Sequence, residues 1–126
     1  MKSDPKECLY CQNNETLHNL MIEIAQLSVS RVFLFKEQTY RGRCLVSYKD
    51  HVNDLNELSD EDRNAFMADV ARVTRAMQKA FQPEKINYGA YSDKLSHLHF
   101  HLAPKYVDGP DYGGIFQMNP GKGLFD

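Results

Sequence analysis

Between Ser96 and Ala103 the chain alternates histidine with large apolar residues: His97, Leu98, His99, Phe100, His101, Leu102. A period of two marks a β-strand, in which successive side chains point to opposite faces. His97, His99 and His101 therefore share one face, and Leu98, Phe100 and Leu102 share the other. The apolar face must be covered by a core. The histidine face, with repeats of roughly 6.6 Å, must meet polar partners, because unpaired buried polar groups are costly. A solvated face would more usually carry Thr, Lys or Glu, and none of these offers the neutral nucleophile that imidazole provides near pH 7. Spacing alone leaves three readings open: an accidental surface cluster, a metal triad, and nucleophilic catalysis by one imidazole held by its neighbours.

Such a strand needs neighbours, and the sequence offers them. Val32-Phe33-Leu34-Phe35 and Cys44-Leu45-Val46-Ser47-Tyr48 are short apolar runs separated by the punctuation of Gly42, and Ile86 to Tyr91 is another strand candidate. The stretch Leu20–Leu27 alternates imperfectly and fits strand or helix. The clearest helix starts at Ser59, where Ser59 with Asp62 resembles a capping box and Asp60 and Glu61 suit a helix N-terminus. Phe66, Val70, Val73, Met77 and Phe81 then recur at steps of three and four, a stripe read as core, and Pro83 ends it. Cys44 reads as a small core residue and His18 as a surface one. The expected plan is α+β: an antiparallel sheet of about five strands with one long helix packed on it.

At 126 residues the chain suits a single domain, 1–126, with an N-terminal segment 1–19 and a Gly- and Pro-rich tail 107–126 lying as loop over a neighbouring surface. A net charge of −2 argues against a strongly basic nucleic-acid footprint. No apolar run approaches the roughly 18–20 residues of a membrane span, and the polar start Met1-Lys2-Ser3-Asp4 is followed by no apolar signal core. The expected location is the cytoplasm. There Cys8-x-x-Cys11 reads as metal-binding or redox-active more readily than as a disulfide.

The triad in its context resembles the signature of the histidine-triad (HIT) superfamily. That context is a long helix, then Ile86-Asn87-Tyr88-Gly89, then His97-x-His99-x-His101, then Pro104-Lys105-Tyr106. The resemblance runs from Cys8 to about Tyr106 and implies a HIT-like fold. It also implies an enzyme, a nucleotidyl hydrolase or transferase acting on dinucleoside polyphosphates or nucleoside phosphoramidates. In that pattern His99 is the nucleophile and forms a nucleotidyl-histidine intermediate. Such covalent catalysis divides one difficult displacement into two easier ones. His101 donates to the phosphate as its charge redistributes. A purine nucleotide is the implied substrate and a homodimer the implied assembly, with the long helix and the strand after it as dimer elements. The alternative is a zinc-stabilised nucleotide-binding module with weak or vestigial catalysis.

Bacterial-type members of that family carry a Cys-x-x-Cys near the start. The resemblance therefore implies a structural Zn²⁺ held by Cys8, Cys11, His51 and His97, a closed four-ligand set. A free or reversibly oxidised thiol pair is the plainer reading. No catalytic metal is implied. A catalytic ion on the three triad histidines would be lost together with activity on chelation.

By the same resemblance Asn87 touches ribose or phosphate, against a plain reading as a turn residue. Glu37 is the nearest candidate for the acidic residue that holds the ribose hydroxyls, against a solvated surface position. The pattern breaks just before the triad. Where relatives carry Gly-Gln-Ser, this chain has Tyr91-Ser92-Asp93-Lys94-Leu95-Ser96. That leaves Ser92 and Lys94 as the residues to meet phosphate, and a lysine there would favour more anionic leaving groups.

Overall fold

The computed structural model describes residues 8–12, 14–91, 93 and 96–120. Two short helices, α1 (Leu9–Gln12) and α2 (Glu15–Leu20), lead into the first strand, β1 (Met21–Gln26). Asn14 caps α2 by accepting from the amides of Thr16 and Leu17. The ambiguous Leu20–Leu27 stretch is thus a strand, with Leu20 closing the helix before it. Next come β2 (Ser30–Phe35), β3 (Cys44–Tyr48), a turn of 3₁₀-helix at Leu55–Glu57, α3 (Asp60–Phe81), β4 (Lys85–Gly89) and β5 (His99–Lys105). The five strands form one antiparallel sheet in the order β1-β2-β3-β5-β4.

Helix α3 begins where its sequence says it should. The Ser59 side chain accepts from the Asp62 amide, and Asp60, Glu61 and Asp62 occupy the positive first turn. Before Pro83 stops the helix, Gln82 adopts a left-handed cap with φ 53° and donates its amide to Gln78 O. The stripe Phe66, Val70, Val73 and Met77 packs on one sheet face against Val32, Val46, Tyr48, Leu98 and Leu102. Each such side chain, fully buried, contributes roughly 1.5–3 kcal/mol.

One polar residue interrupts that face. Asp69 is wholly buried, and its carboxylate accepts from Ser28 Oγ at 3.0 Å, Val29 N at 2.9 Å and Ser30 Oγ at 2.8 Å. The helix is thereby bonded to the β1–β2 turn. At its other end, Phe81 lies over Gly42, where φ is +89° and a Cβ would fall 2.6 Å from the Phe81 ring.

The opposite sheet face carries the histidines. Cross-strand partners place Leu45 beside His101 and Ser47 beside His99. This face is covered by the N-terminal segment, through Cys8 ahead of α1, Tyr10 in α1 and Leu17 in α2, packed with Met21, Phe33 and Leu45 of the sheet. It is also covered by the segment after β5, where Phe116 packs with Tyr40 and Ala103. Part of the expected tail is therefore built into the fold. Lys105, buried, donates through Nζ to Asp111 O and Gly114 O, and Tyr40 hydrogen-bonds both the Asp111 carboxylate and the Gln117 amide. Among the described residues no helix is long and apolar enough to cross a membrane.

Candidate active site

The three histidines do lie along one line. His99 and His101 belong to β5, and His97 sits two residues ahead of His99 in the bend that leads into the strand. All three are buried. Their ring nitrogens have separate partners, and those partners dictate where each proton sits.

The Nε2–H of His97 donates to Tyr48 O at 2.7 Å. A carbonyl can only accept, so Nδ1 of a neutral ring carries the lone pair. That Nδ1 lies 3.3 Å from Cys8 Sγ and 3.5 Å from Cys11 Sγ, and Cys11 Sγ lies 3.3 Å from His51 Nδ1. The donor atoms of Cys8, Cys11, His51 and His97 all fall within 4.8 Å of one another. In a tetrahedral site with bonds of 2.3 Å to sulfur and about 2.05 Å to nitrogen, sulfur and nitrogen stand about 3.5 Å apart. The donor set and its spacing therefore fit one metal ion, with Cys8 just ahead of α1 and Cys11 within it supplying the thiols and the bend before β5 supplying a histidine.

The Nδ1–H of His99 donates to the carbonyl of His97 at 2.6 Å. The lone pair of a neutral His99 ring is then on Nε2. Burial, opposed by that hydrogen bond, lowers the His99 pKa and keeps the ring neutral near pH 7. Burial, the neighbouring His99 and the cation of Arg43 bring His101 down to about 3. His97 is held at about 4, chiefly by burial.

His99 and His101 open on a cavity of about 500 Å³. Leu9, Tyr10, Leu20, Met21 and Phe35 make an apolar wall on one side, and Tyr91, Asp93, Phe116, Met118 and Asn119 complete the lining. Tyr10, between the two thiols in sequence, packs its ring against both His97 and His99, with centroids 5.3 and 5.1 Å away. The arrangement is a half-apolar pocket of ligand size with two neutral imidazoles at its floor.

The other residues expected from sequence are placed less directly. Glu37 is buried rather than solvated, but its carboxylate accepts from the amide and hydroxyl of its own neighbour Thr39. Asn87 lies in β4 opposite Ala103, so it is a strand residue and not a turn residue. Neither lines the cavity. Ser92 and Lys94 lie outside the described residues. His18 is exposed and Cys44 buried, as expected.

Sequence reasoning missed Tyr10, Asp93, Phe116 and, above all, Arg43. Arg43, just ahead of β3, is completely buried, and its Nη2 lies 3.1 Å from His101 Nδ1. No sequence signal marks it, because an arginine beside a strand ordinarily reads as surface.

Comparison with known proteins bears on the family and the fold. The family model described as the HIT domain matches residues 14–108. Adenosine 5'-monophosphoramidase hnt1 of Schizosaccharomyces pombe is 32% identical over 89 residues, covering 67% of this chain and 64% of that protein. Protein hit of Bacillus subtilis is 27% identical over 92 residues, covering 69% and 63%. The chain thus spans a little under two thirds of the length of these curated relatives. The crystal structure of a histidine triad protein from Sinorhizobium meliloti superposes with a TM-score of 0.79 at 20% identity, covering 90% of this chain and 84% of that one.

Proposed function

The chain belongs to the HIT family, and from that premise we propose that it is a nucleotide hydrolase or transferase working through a covalent nucleotidyl-His99 intermediate. The observation that carries the reading is the bond from His99 Nδ1 to the His97 carbonyl, which puts the lone pair on Nε2 of a ring lining the cavity. In the first step Nε2 attacks the α-phosphorus of a purine dinucleoside polyphosphate or nucleoside phosphoramidate. A P–N bond forms, and the bond to the leaving oxygen or nitrogen breaks with its electron pair, which takes up a proton. In the second step water attacks phosphorus and releases a proton to solvent, the P–N bond breaks, and the pair returns to Nε2. His101 hydrogen-bonds the phosphoryl oxygens as charge moves onto them.

The apolar wall of Leu9, Tyr10, Leu20, Met21 and Phe35 suits a flat base. Asn87 and Glu37 as ribose or phosphate contacts, and Ser92 and Lys94 as phosphate contacts, rest on the family pattern alone. The two thiols and two imidazoles suit zinc, a borderline-soft ion whose closed Cys₂His₂ site is structural. A homodimer through the long helix α3 and the strand after it, β4, rests on the family pattern; the exposed Tyr88 on the outer edge of β4 supports that reading.

The test is AMP release from adenosine phosphoramidate and from diadenosine tetraphosphate by wild type and His99→Ala, with AMP binding measured in parallel. The expected result is turnover of at least one substrate, a loss of about 10³-fold or more in the variant, and AMP binding in both. A variant that keeps a tenth of the rate overturns the nucleophile. AMP binding without turnover in wild type makes the chain a zinc-stabilised binding module.

A further inference from the structure

Arg43 is the largest fully buried side chain among the described residues, and nothing about packing requires a cation there. It forms no salt bridge with the described residues, and its Nε has no hydrogen-bond partner. The buried Glu37 carboxylate acts on Arg43 without a direct ion pair. Taking a guanidinium out of water on those terms is costly, and a methionine or leucine would fill the same space without that cost. The cation is instead sandwiched between rings, 4.5 Å from the Phe35 centroid and 5.2 Å from that of Phe116. Nη1 donates to Gln117 O at 3.4 Å, and Nη2 donates to Met118 Sδ at 3.3 Å and meets His101 Nδ1 at 3.1 Å.

A guanidinium carries five N–H donors and no acceptor. Its contact with His101 therefore has one possible sense: Nη2–H donates and Nδ1 accepts. The single proton of the neutral His101 ring is then on Nε2. This is the opposite tautomer to His99, whose Nδ1 holds the proton. One strand thus presents to one cavity two imidazoles of opposite sense, a lone pair at His99 Nε2 and a donor at His101 Nε2.

We propose that Arg43 is a positioning residue that fixes His101 as the Nε2–H donor, while Nη2 also reaches Met118 in the cavity wall and Nη1 holds the Gln117 carbonyl beside it. Its effect on rate rests on the reading of the cavity as a nucleotidyl-transfer site. The tautomer does not. Loss of the donor frees Nδ1 of His101 to take the proton, and the ring then turns an acceptor toward phosphoryl oxygens that need a donor.

The experiment is ¹⁵N NMR of histidine-labelled full-length protein, wild type, Arg43→Met and Arg43→Lys, with His101 assigned by His101→Gln. Wild type is expected to show His101 protonated on Nε2 and His99 on Nδ1. Arg43→Met, which keeps the volume and removes the donors, is expected to shift the His101 proton wholly or partly to Nδ1 and leave His99 unchanged. Arg43→Lys, which donates, keeps the wild-type pattern. In turnover, Arg43→Met lowers kcat about 10–100-fold with KM within about threefold, and Arg43→Lys recovers part of the loss. A wild-type His101 protonated on Nδ1 overturns the proposal, and that reading needs no variant to fold. So does an Arg43→Met protein with an unchanged tautomer. An inactive wild type with the expected tautomers counts against the proposed function and leaves the Arg43 assignment standing.

Discussion

His97 serves His99 and the thiol pair through different atoms. Its carbonyl accepts the Nδ1–H of His99 at 2.6 Å, while its ring Nδ1 lies 3.3 Å from Cys8 Sγ. One residue thereby joins the metal-ligand cluster to the candidate nucleophile, and the thiols hold α1, with Tyr10 in it, against both rings.

Removing the metal should therefore loosen the nucleotide pocket as well as the fold. Zinc content, melting temperature and AMP affinity are to be measured for wild type, chelated wild type and Cys11→Ser. The metal-free forms should melt about 10 °C or more lower and bind AMP more weakly. Identical AMP affinity after complete chelation would show that α1 is held without the ion.

Tyr10→Ala should act on the same wall without touching a ligand atom. Truncating a buried aromatic that packs on two histidines costs about 3 kcal/mol and opens the base side of the cavity. Urea unfolding reads the first effect, and KM for a nucleotide substrate reads the second. An increase in KM with unchanged kcat is expected, since the ring supplies binding surface and no reacting atom.

Acid should destabilise the protein over a defined window. Burial holds His101 at about 3 against its ordinary 6.5, so below pH 6.5 the unfolded chain takes up a proton that the folded one refuses. The contribution is fully present above pH 6.5 and is lost as pH falls toward 3. Urea midpoints between pH 7 and pH 4 should fall more steeply in wild type than in His101→Gln. Parallel slopes would mean the ring is not desolvated.

Two glycines with the same backbone angle should respond differently. Gly42 has φ +89° and Gly113 φ +90°, but an added Cβ at Gly42 meets the Phe81 ring at 2.6 Å whereas at Gly113 nothing among the described residues lies within 4 Å. Gly113→Ala should cost about 1 kcal/mol in left-handed strain. Gly42→Ala should cost at least about 1 kcal/mol more, because the end of α3 has to move. Thermal unfolding of the pair gives the comparison directly.

Periodic features were legible in the sequence, and pairwise ones were not. The period-two run set His99 and His101 on one face of β5 and sent Leu98 and Leu102 into the core under α3. The stripe from Phe66 to Met77 and the cap at Ser59 defined the long helix. The cluster of Cys8, Cys11, His51 and His97 came from resemblance, since nothing in the spacing of residues 8 and 97 brings them together. Arg43 was invisible because its meaning lies in a contact with His101, 58 positions away. Helices α1 and α2 are too short for a 3.6-residue pattern to emerge. Glu37 shows the converse: its position follows the family pattern, yet its carboxylate turns back onto Thr39.

The Asp69 carboxylate, roofed by Ser28, Val29 and Ser30, bears on how the molecule comes apart. Lifting the β1–β2 turn off the helix takes three donors from the Asp69 carboxylate and leaves it Arg72 on its own helix at 3.4 Å. Opening of that hairpin alone thus costs three hydrogen bonds to a charged group, about 1.5–3 kcal/mol each. Residues forty positions apart in the chain become one cooperative block, and slow amide exchange at Val29 should match that of the helix core.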